Sequence, residues 1–199
     1  MTQHYFTEKP KSVFKKEIFQ VNIKDLMITI NSGSGLFSIK DLDFGSKLLI
    51  ENAKISAKAT VLDLGCGYGI IGIAIKKIYP DSDVWMCDVN ERAVKLAKEN
   101  CTVNNVQCTV LKSNIFSNPL FRDKSFDIIL SNPPFSAGKK ICFQFIEQSF
   151  HHINKNGSLQ IVAPHNKGGE SLKKKMLEVF GNAGELTKKS GYRIYISKK

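Results

Sequence analysis

Val61-Leu62-Asp63-Leu64-Gly65-Cys66-Gly67-Tyr68-Gly69 is a short apolar run that ends in three alternating glycines. A continuous apolar run of this length reads as a strand buried on both faces. The glycines let the chain turn tightly and bring backbone N–H groups close to a ligand. IIGIAIKKIY (70–79) starts straight after them and reads as a helix that Pro80 stops. DVWMCDV (83–89) is the next strand, and Asp88 near its end lies 21 residues beyond Gly67. A carboxylate there can accept hydrogen bonds from both hydroxyls of a ribose, which predicts a nucleoside-containing cofactor at the carboxyl edge of the strands. Its identity stays open at this point. Gly67-Tyr68-Gly69-Ile70-Ile71-Gly72 also satisfies GxGxxG, as a dinucleotide fold requires.

Outward from this stretch, strand and helix alternate. Asn90 is a candidate N-cap for a helix over 91–103, with Ala93, Leu96, Ala97, Asn100 and Cys101 on one face. CTVLK (108–112), FDIILS (126–131) and GSLQIVA (157–163) read as further strands, and helices are expected over 138–154 and 168–180. GELTKK and YRIYIS close the chain as two strands around a tight turn at Ser190-Gly191, and they leave no room for a crossover helix. The expectation is an α/β fold. It is a doubly wound, Rossmann-like seven-stranded sheet, mostly parallel, with one antiparallel strand near the C-terminus. Residues 1–58 read differently: EIFQVNI (17–23) and LMITIN (26–31) form a hairpin turned near Lys24-Asp25, followed by a helix over 45–54. One domain over 1–199 is expected, with this small N-terminal β extension (1–58) ahead of a core over 59–199.

The 199 residues are long enough to bury a core. No stretch is apolar enough to span a membrane, and the N-terminus has no apolar signal-peptide region. Five cysteines without CxxC spacing, with four scattered histidines, indicate neither a disulfide framework nor a metal site, and a cytoplasmic location fits. The net charge of +11 is segregated: residues 60–130 hold 8 basic and 8 acidic groups, whereas residues 131–199 hold 12 and 4. A basic surface concentrated at the chain ends suits a polyanion such as RNA, and no membrane; a solvated, solubilising surface is the plainer account. Lys139, Lys140, Lys9 and Lys11 are the candidate RNA-binding residues. The run Lys173-Lys174-Lys175 reads as a solvated helix face. Oligomeric state is expected to be monomer or weak homodimer.

FDIILSNPPF (126–135) places Asn132-Pro133-Pro134-Phe135 at a strand end on the ligand-binding edge. The segment resembles motif IV of methyltransferases that act on planar amino nitrogens, and the resemblance implies an amine whose lone pair is delocalised into a π system. Two acceptors, the Asn132 side-chain oxygen and the Pro133 carbonyl, can take its two N–H groups and favour a pyramidal nitrogen. The prolines restrict the backbone so that the carbonyl stays aimed. Phe135 offers a stacking face. Asn132, Pro133, Pro134 and Phe135 are therefore the candidate catalytic residues.

With these residues in view, DxGxGxG at 63–69 resembles motif I of the class I S-adenosylmethionine-dependent methyltransferases, and NPPF resembles their motif IV for amino nitrogens. The chain as a whole resembles the ribosomal small subunit methyltransferase C type, the methyltransferase small domain. In particular it resembles the single-domain archaeal members, without the extra N-terminal domain of bacterial ones. The likeness includes HYFTEKP (4–10), GLFS (35–38), DFGSKLL (43–49), LDLGCGYGIIGIA, DVNERAVKLAKEN, SNPPF and GYRIYISKK. It implies S-adenosyl-L-methionine as cofactor, with Asp63, Gly65, Cys66, Gly67, Tyr68, Gly69, Asp88, Val89, Asn114 and Phe37 around it. In the family, the acidic residue of motif I helps place the cofactor's amino group. Many relatives carry Asp where Asn114 stands, and Asn114 also reads as a turn residue. Phe37 also reads as an aromatic packed beneath a loop. The implied reaction is N2-methylation of a guanine in ribosomal RNA or the small ribosomal subunit. Adenine-N6, tRNA guanine-N2 and protein glutamine methylation, and a non-catalytic nucleoside- or RNA-binding module, are the alternatives.

Overall fold

The computed structural model describes residues 15–34 and 41–199. Lys9, Lys11 and Phe37 lie outside them. The N-terminal hairpin pairs β1 (Lys16–Ile23) antiparallel with β2 (Leu26–Gly33), and Ile23 faces Leu26 across the turn. Lys24 and Asp25 both adopt positive φ, the conformation that a two-residue turn needs to match the twist of its strands.

Five strands form the parallel part of the main sheet: β3 (Thr60–Leu64), β4 (Asp83–Asp88), β5 (Thr109–Lys112), β6 (Phe126–Ser131) and β7 (Ile153–Pro164). The last two are β8 (Gly184–Lys189) and β9 (Tyr192–Lys198). The sheet order is β5-β4-β3-β6-β7-β9-β8. β9 runs antiparallel to both of its neighbours, so it is the single reversed strand of the seven. Chain order reverses between β3 and β6, which makes their carboxyl ends the topological switch point.

Helices α1 (Phe44–Asn52), α2 (Ile70–Ile78) and α3 (Glu91–Val103) share one apolar cluster with the hairpin; Ile23, Ile28, Ile30, Leu49 and Ile73 lie within it. Helices α4 (Lys139–His151) and α5 (Gly169–Phe180) cover the other face, through Ile146, Leu172 and Met176 among others. The alternation along β3 explains the division: Val61 joins the first cluster, Leu62 and Leu64 the second. α2 lies so close on β4 that a methyl group at Gly72 would sit 2.4 Å from Met86 Sδ.

Several boundaries differ from the sequence expectation. The helix expected over 138–154 stops at His151, because the His152 carbonyl accepts from Phe126 N at 2.8 Å and feeds the chain into β7. The His152 ring stacks on Phe116 at 4.0 Å. β7 therefore begins at Ile153 and bends before Gly157, where a Cβ would sit 2.7 Å from the Asp127 carbonyl oxygen. α1 ends at Asn52, two residues short of the end expected at Lys54. Beyond it, Lys54 N donates to Gln160 Oε1, and Gln160 Nε2 donates to Lys54 O, each at 2.9 Å.

The hairpin is docked by two asparagines of α3. Asn100 Oδ1 accepts from Asn31 N at 2.7 Å, and its Nδ2 donates to Asn31 O at 2.9 Å. Asn104 does the same to Thr29, at 3.0 and 2.7 Å. Four residues along a helix rise about 6 Å, close to the advance of two residues along a strand, so the amides match the backbone spacing of β2.

Candidate active site

A cavity of about 690 Å³ opens at the switch point, lined by the carboxyl ends of β3 and β4 and the segments that follow β5 and β6. The glycine loop forms one wall. Gly65, Gly67 and Gly69 all have positive φ, which glycine adopts at no steric cost. Gly65 N and Cys66 N both donate to the Cys87 carbonyl at 2.9 Å, and Gly69 N donates to Cys66 O at 2.9 Å. A Cβ on Gly67 would meet nothing within 4 Å, so the tip of the loop faces open space. From β6, Ser131 Oγ donates to Leu64 O at 2.8 Å, which ties the two switch-point strands together where the loop begins.

Asp88 sits across from the loop. Its Oδ2 accepts from Gly67 N at 2.9 Å and its Oδ1 from Asn90 N at 2.8 Å. Burial raises its pKa above the usual carboxylate range, against these backbone donors. Asn90 caps α3 as expected, accepting from Arg92 N at 2.9 Å and Ala93 N at 3.4 Å.

Asp63 stands elsewhere than the sequence reading puts it. It is buried behind the wall and does not line the cavity. Its Oδ2 accepts from Gly72 N at 3.0 Å, while Oδ1 has no partner among the described residues. Burial pushes its pKa up to about 7, opposed by the Gly72 N–H and reinforced by the Asp88 charge. Its work is to fix the start of α2 beneath the loop. Gly69 likewise shapes the loop as the left-handed residue before α2, without lining the cavity. Burial raises the thiol pKa values of Cys66 and Cys87, so neither is a nucleophile at neutral pH.

The opposite wall is the NPPF segment. Asn132, Pro133, Pro134 and Phe135 all line the cavity. Pro134, at φ −76° and ψ 82°, centres an inverse γ-turn in which Phe135 N donates to Pro133 O at 2.9 Å. One lone pair of the Pro133 carbonyl is therefore engaged, which holds its direction, and the other is left for a ligand. Asn132 Nδ2 donates to Asp43 Oδ1 and to Ser46 Oγ, both at 3.0 Å.

Of the sequence candidates among the described residues, Gly65, Cys66, Gly67, Tyr68, Asp88, Val89, Asn114 and the four NPPF residues meet in this one cavity. Lys139 and Lys140 are exposed at the start of α4, just beyond it. Asp43, Ser46, Ser113, Phe145 and Tyr192 also line it and were not among the candidates. The sequence signal for Asp43 was its place at the head of DFGSKLL (43–49); in the structure Asp43 Oδ1 caps α1 by accepting from Ser46 N at 3.0 Å. All five cysteines are free thiols, and no helix among the described residues is long and apolar enough to cross a membrane.

Residues 27–196 match the family model for the methyltransferase small domain. A Bacillus subtilis (strain 168) protein, YbxB, is 38% identical over 201 residues, covering all of both chains. The ribosomal RNA small subunit methyltransferase C of Haemophilus influenzae (strain PittGG) is 39% identical over 140 residues, covering 68% of this chain and 42% of that protein. This chain thus spans less than half the length of the Haemophilus enzyme. Among solved structures, the T. thermophilus 16S rRNA N2 G1207 methyltransferase, in complex with AdoMet and guanosine, superposes with a TM-score of 0.82. It is 23% identical and covers 96% of this chain and 52% of that one.

Proposed function

The chain belongs to the methyltransferase small domain family, and we propose that it transfers a methyl group from S-adenosylmethionine to the exocyclic N2 of a guanine in ribosomal RNA. The observation that carries this reading is the meeting, in one cavity, of a glycine loop paired with Asp88 and an NPPF segment. The residues present fit the cofactor. The open space at Gly67 is a cradle that any side chain there would fill, and Asp88 lines the cavity with acceptor capacity left beyond its backbone donors for a ribose hydroxyl. Gly65, Gly67, Asp88, Val89 and Asn114 would hold it. When bound, S-adenosylmethionine supplies an electrophilic methyl group whose departure leaves a neutral thioether.

The chain's own residues orient the acceptor. Asn132 Oδ1 and the remaining lone pair of the Pro133 carbonyl take the two N–H groups of the amine. Phe135 stacks on the base, for roughly 1–3 kcal/mol. As the nitrogen gains its fourth substituent it becomes positive, and the two oxygens facing it are preorganised for that charge. The extra proton leaves to water after methyl transfer, so no strong base is required beforehand. This suits a lining that, among the described residues, holds no histidine. Lys139 and Lys140 make no ion pair among the described residues and are available to phosphates beside the target nucleotide.

The test is transfer from isotope-labelled S-adenosylmethionine to unmodified ribosomal RNA, small subunits and tRNA, with digestion to nucleosides and mass spectrometry. N2-methylguanosine, lost in Asn132→Ala, is the expected product. N6-methyladenosine, or label only in protein, would replace guanine with another planar amine. Cofactor binding without any product would replace the enzyme with a binding module.

A further inference from the structure

An asparagine side chain can turn either its oxygen or its nitrogen toward a ligand, and only the oxygen accepts hydrogen bonds. At Asn132 the choice is fixed from outside the NPPF motif. Its Nδ2 lies 3.0 Å from Asp43 Oδ1 and 3.0 Å from Ser46 Oγ. An ionised carboxylate has no proton to give, so the nitrogen is the end that faces Asp43. Both amide hydrogens are then engaged by the first turn of α1, and Oδ1 is left for the cavity.

The surroundings are built for this contact. A Cβ at Gly45 would sit 3.4 Å from Asn132 Nδ2 and 3.1 Å from Asp43 Oδ1, so the glycine leaves room for the approach. Ser46 is buried at 4% exposure. α1 is anchored beyond its far end by the paired hydrogen bonds between Gln160 and the Lys54 backbone, both at 2.9 Å. The helix is thus a platform held at both ends. An anion at the amide nitrogen also draws electron density toward the amide oxygen, which strengthens it as an acceptor.

We propose that Asp43 and Ser46 are positioning residues that lock the Asn132 side chain with its oxygen toward the acceptor amine. The inference rests on the N-methyl transfer proposed above. Asp43 Oδ1 also caps α1 by accepting from Ser46 N at 3.0 Å, so a test must separate the cap from the lock. Serine is a good N-cap but has a shorter side chain, so Asp43→Ser preserves the helix start and withdraws the reach to Asn132. Asp43→Asn keeps an oxygen at the same place.

The expected result for the Asp43→Ser/Ser46→Ala double variant is a fall in kcat of about tenfold or more. KM for S-adenosylmethionine should stay within about twofold of the unaltered chain, and Tm should fall by only about 2–4 °C. Asp43→Asn should recover most of the lost kcat. An unaltered kcat in the double variant would overturn the proposal. So would a loss of kcat matched by equal losses of cofactor affinity and Tm, which a purely structural role predicts. A second measurement needs no turnover. In the ligand-free protein, the two side-chain N–H resonances of Asn132, identified by their absence in Asn132→Ala, should be protected from solvent exchange. One should move in Asp43→Ser and the other in Ser46→Ala. Rapidly exchanging, averaged resonances would overturn the lock even if every RNA is methylated. Protected resonances in a chain that methylates nothing would leave the lock standing and remove the reaction.

Discussion

Asp88 Oδ2 accepts the Gly67 N–H at 2.9 Å, so the carboxylate proposed to hold a ribose is also what holds the tip of the glycine loop. Asp88→Ala therefore removes two things at once. The Gly67 and Asn90 N–H groups lose their acceptor, and the cofactor loses a partner. Stability should fall by about 1–3 kcal/mol, and affinity for S-adenosylmethionine by at least about tenfold. Thermal unfolding of the ligand-free protein and calorimetric titration measure the two effects separately. An unchanged affinity would remove Asp88 from the binding residues.

Asp63 sets a pH dependence of the opposite sign to that of a salt-bridged aspartate. The folded chain holds its proton up to about pH 7, chiefly because burial disfavours the charge. The unfolded chain releases it near pH 4, so the native state binds more protons between the two values. Stability should fall as pH rises through that window, and Asp88, raised in the same direction by burial, adds to the slope. Asp63→Asn removes one titration. Relative to it, the unaltered chain should lose stability steadily from about pH 4 to about pH 7, measured by urea unfolding at a series of pH values. A constant difference between the two proteins would contradict this.

Asn100 is fully buried and makes three backbone contacts, to Asn31 N, Asn31 O and Tyr68 O. It joins the N-terminal hairpin to the cofactor loop in one side chain. Asn100→Ala should cost about 2–4 kcal/mol, because it leaves buried backbone groups without partners. Asn104→Ala should cost less, since its contacts to Thr29 are only partly buried. Denaturant unfolding of both variants would rank them, and the reverse order would mean that the hairpin is held elsewhere.

The lysines divide by partner. Lys173 pairs with Glu185 at 2.7 Å, Lys174 with Glu170 at 3.3 Å, and Lys175 with Glu147 at 2.7 Å and Glu178 at 2.8 Å. Lys139 and Lys140 have no such pair among the described residues. Replacing Lys139 or Lys140 with Gln should lower the slope of log affinity against log salt by about 1 each. Gln at 173–175 should leave the slope unaltered. Filter binding to ribosomal RNA over a range of salt concentrations would decide it, and equal effects from both clusters would undo the assignment.

What the sequence made legible was local. α3 could be read to its bounds because an N-cap asparagine precedes an apolar stripe of helical period. The glycine loop, Asp88 and NPPF were legible because each places unusual residues at the end of an apolar run. The Asp43–Asn132 contact joins residues 89 apart and leaves no local pattern. Asn100 could be placed on the packed face of its helix, but its backbone partners on β2 could not be inferred. The insertion of β9 between β7 and β8 was equally hidden, since it depends on pairing between distant segments. The overrun of α4 had the same origin: residues 152–154 are compatible with a helix until Phe126 captures the His152 carbonyl.

The two asparagines that dock the hairpin have a further consequence. A two-stranded sheet exposes two rows of unpaired backbone groups, each a template for strand addition by another chain. On β2 the outward-facing groups of Thr29 and Asn31 are already satisfied by side-chain amides from α3, set at the spacing a third strand would use. α3 thus occupies that edge as a strand mimic. The hairpin gains its anchorage and is closed on that side to edge-to-edge aggregation by the same four hydrogen bonds.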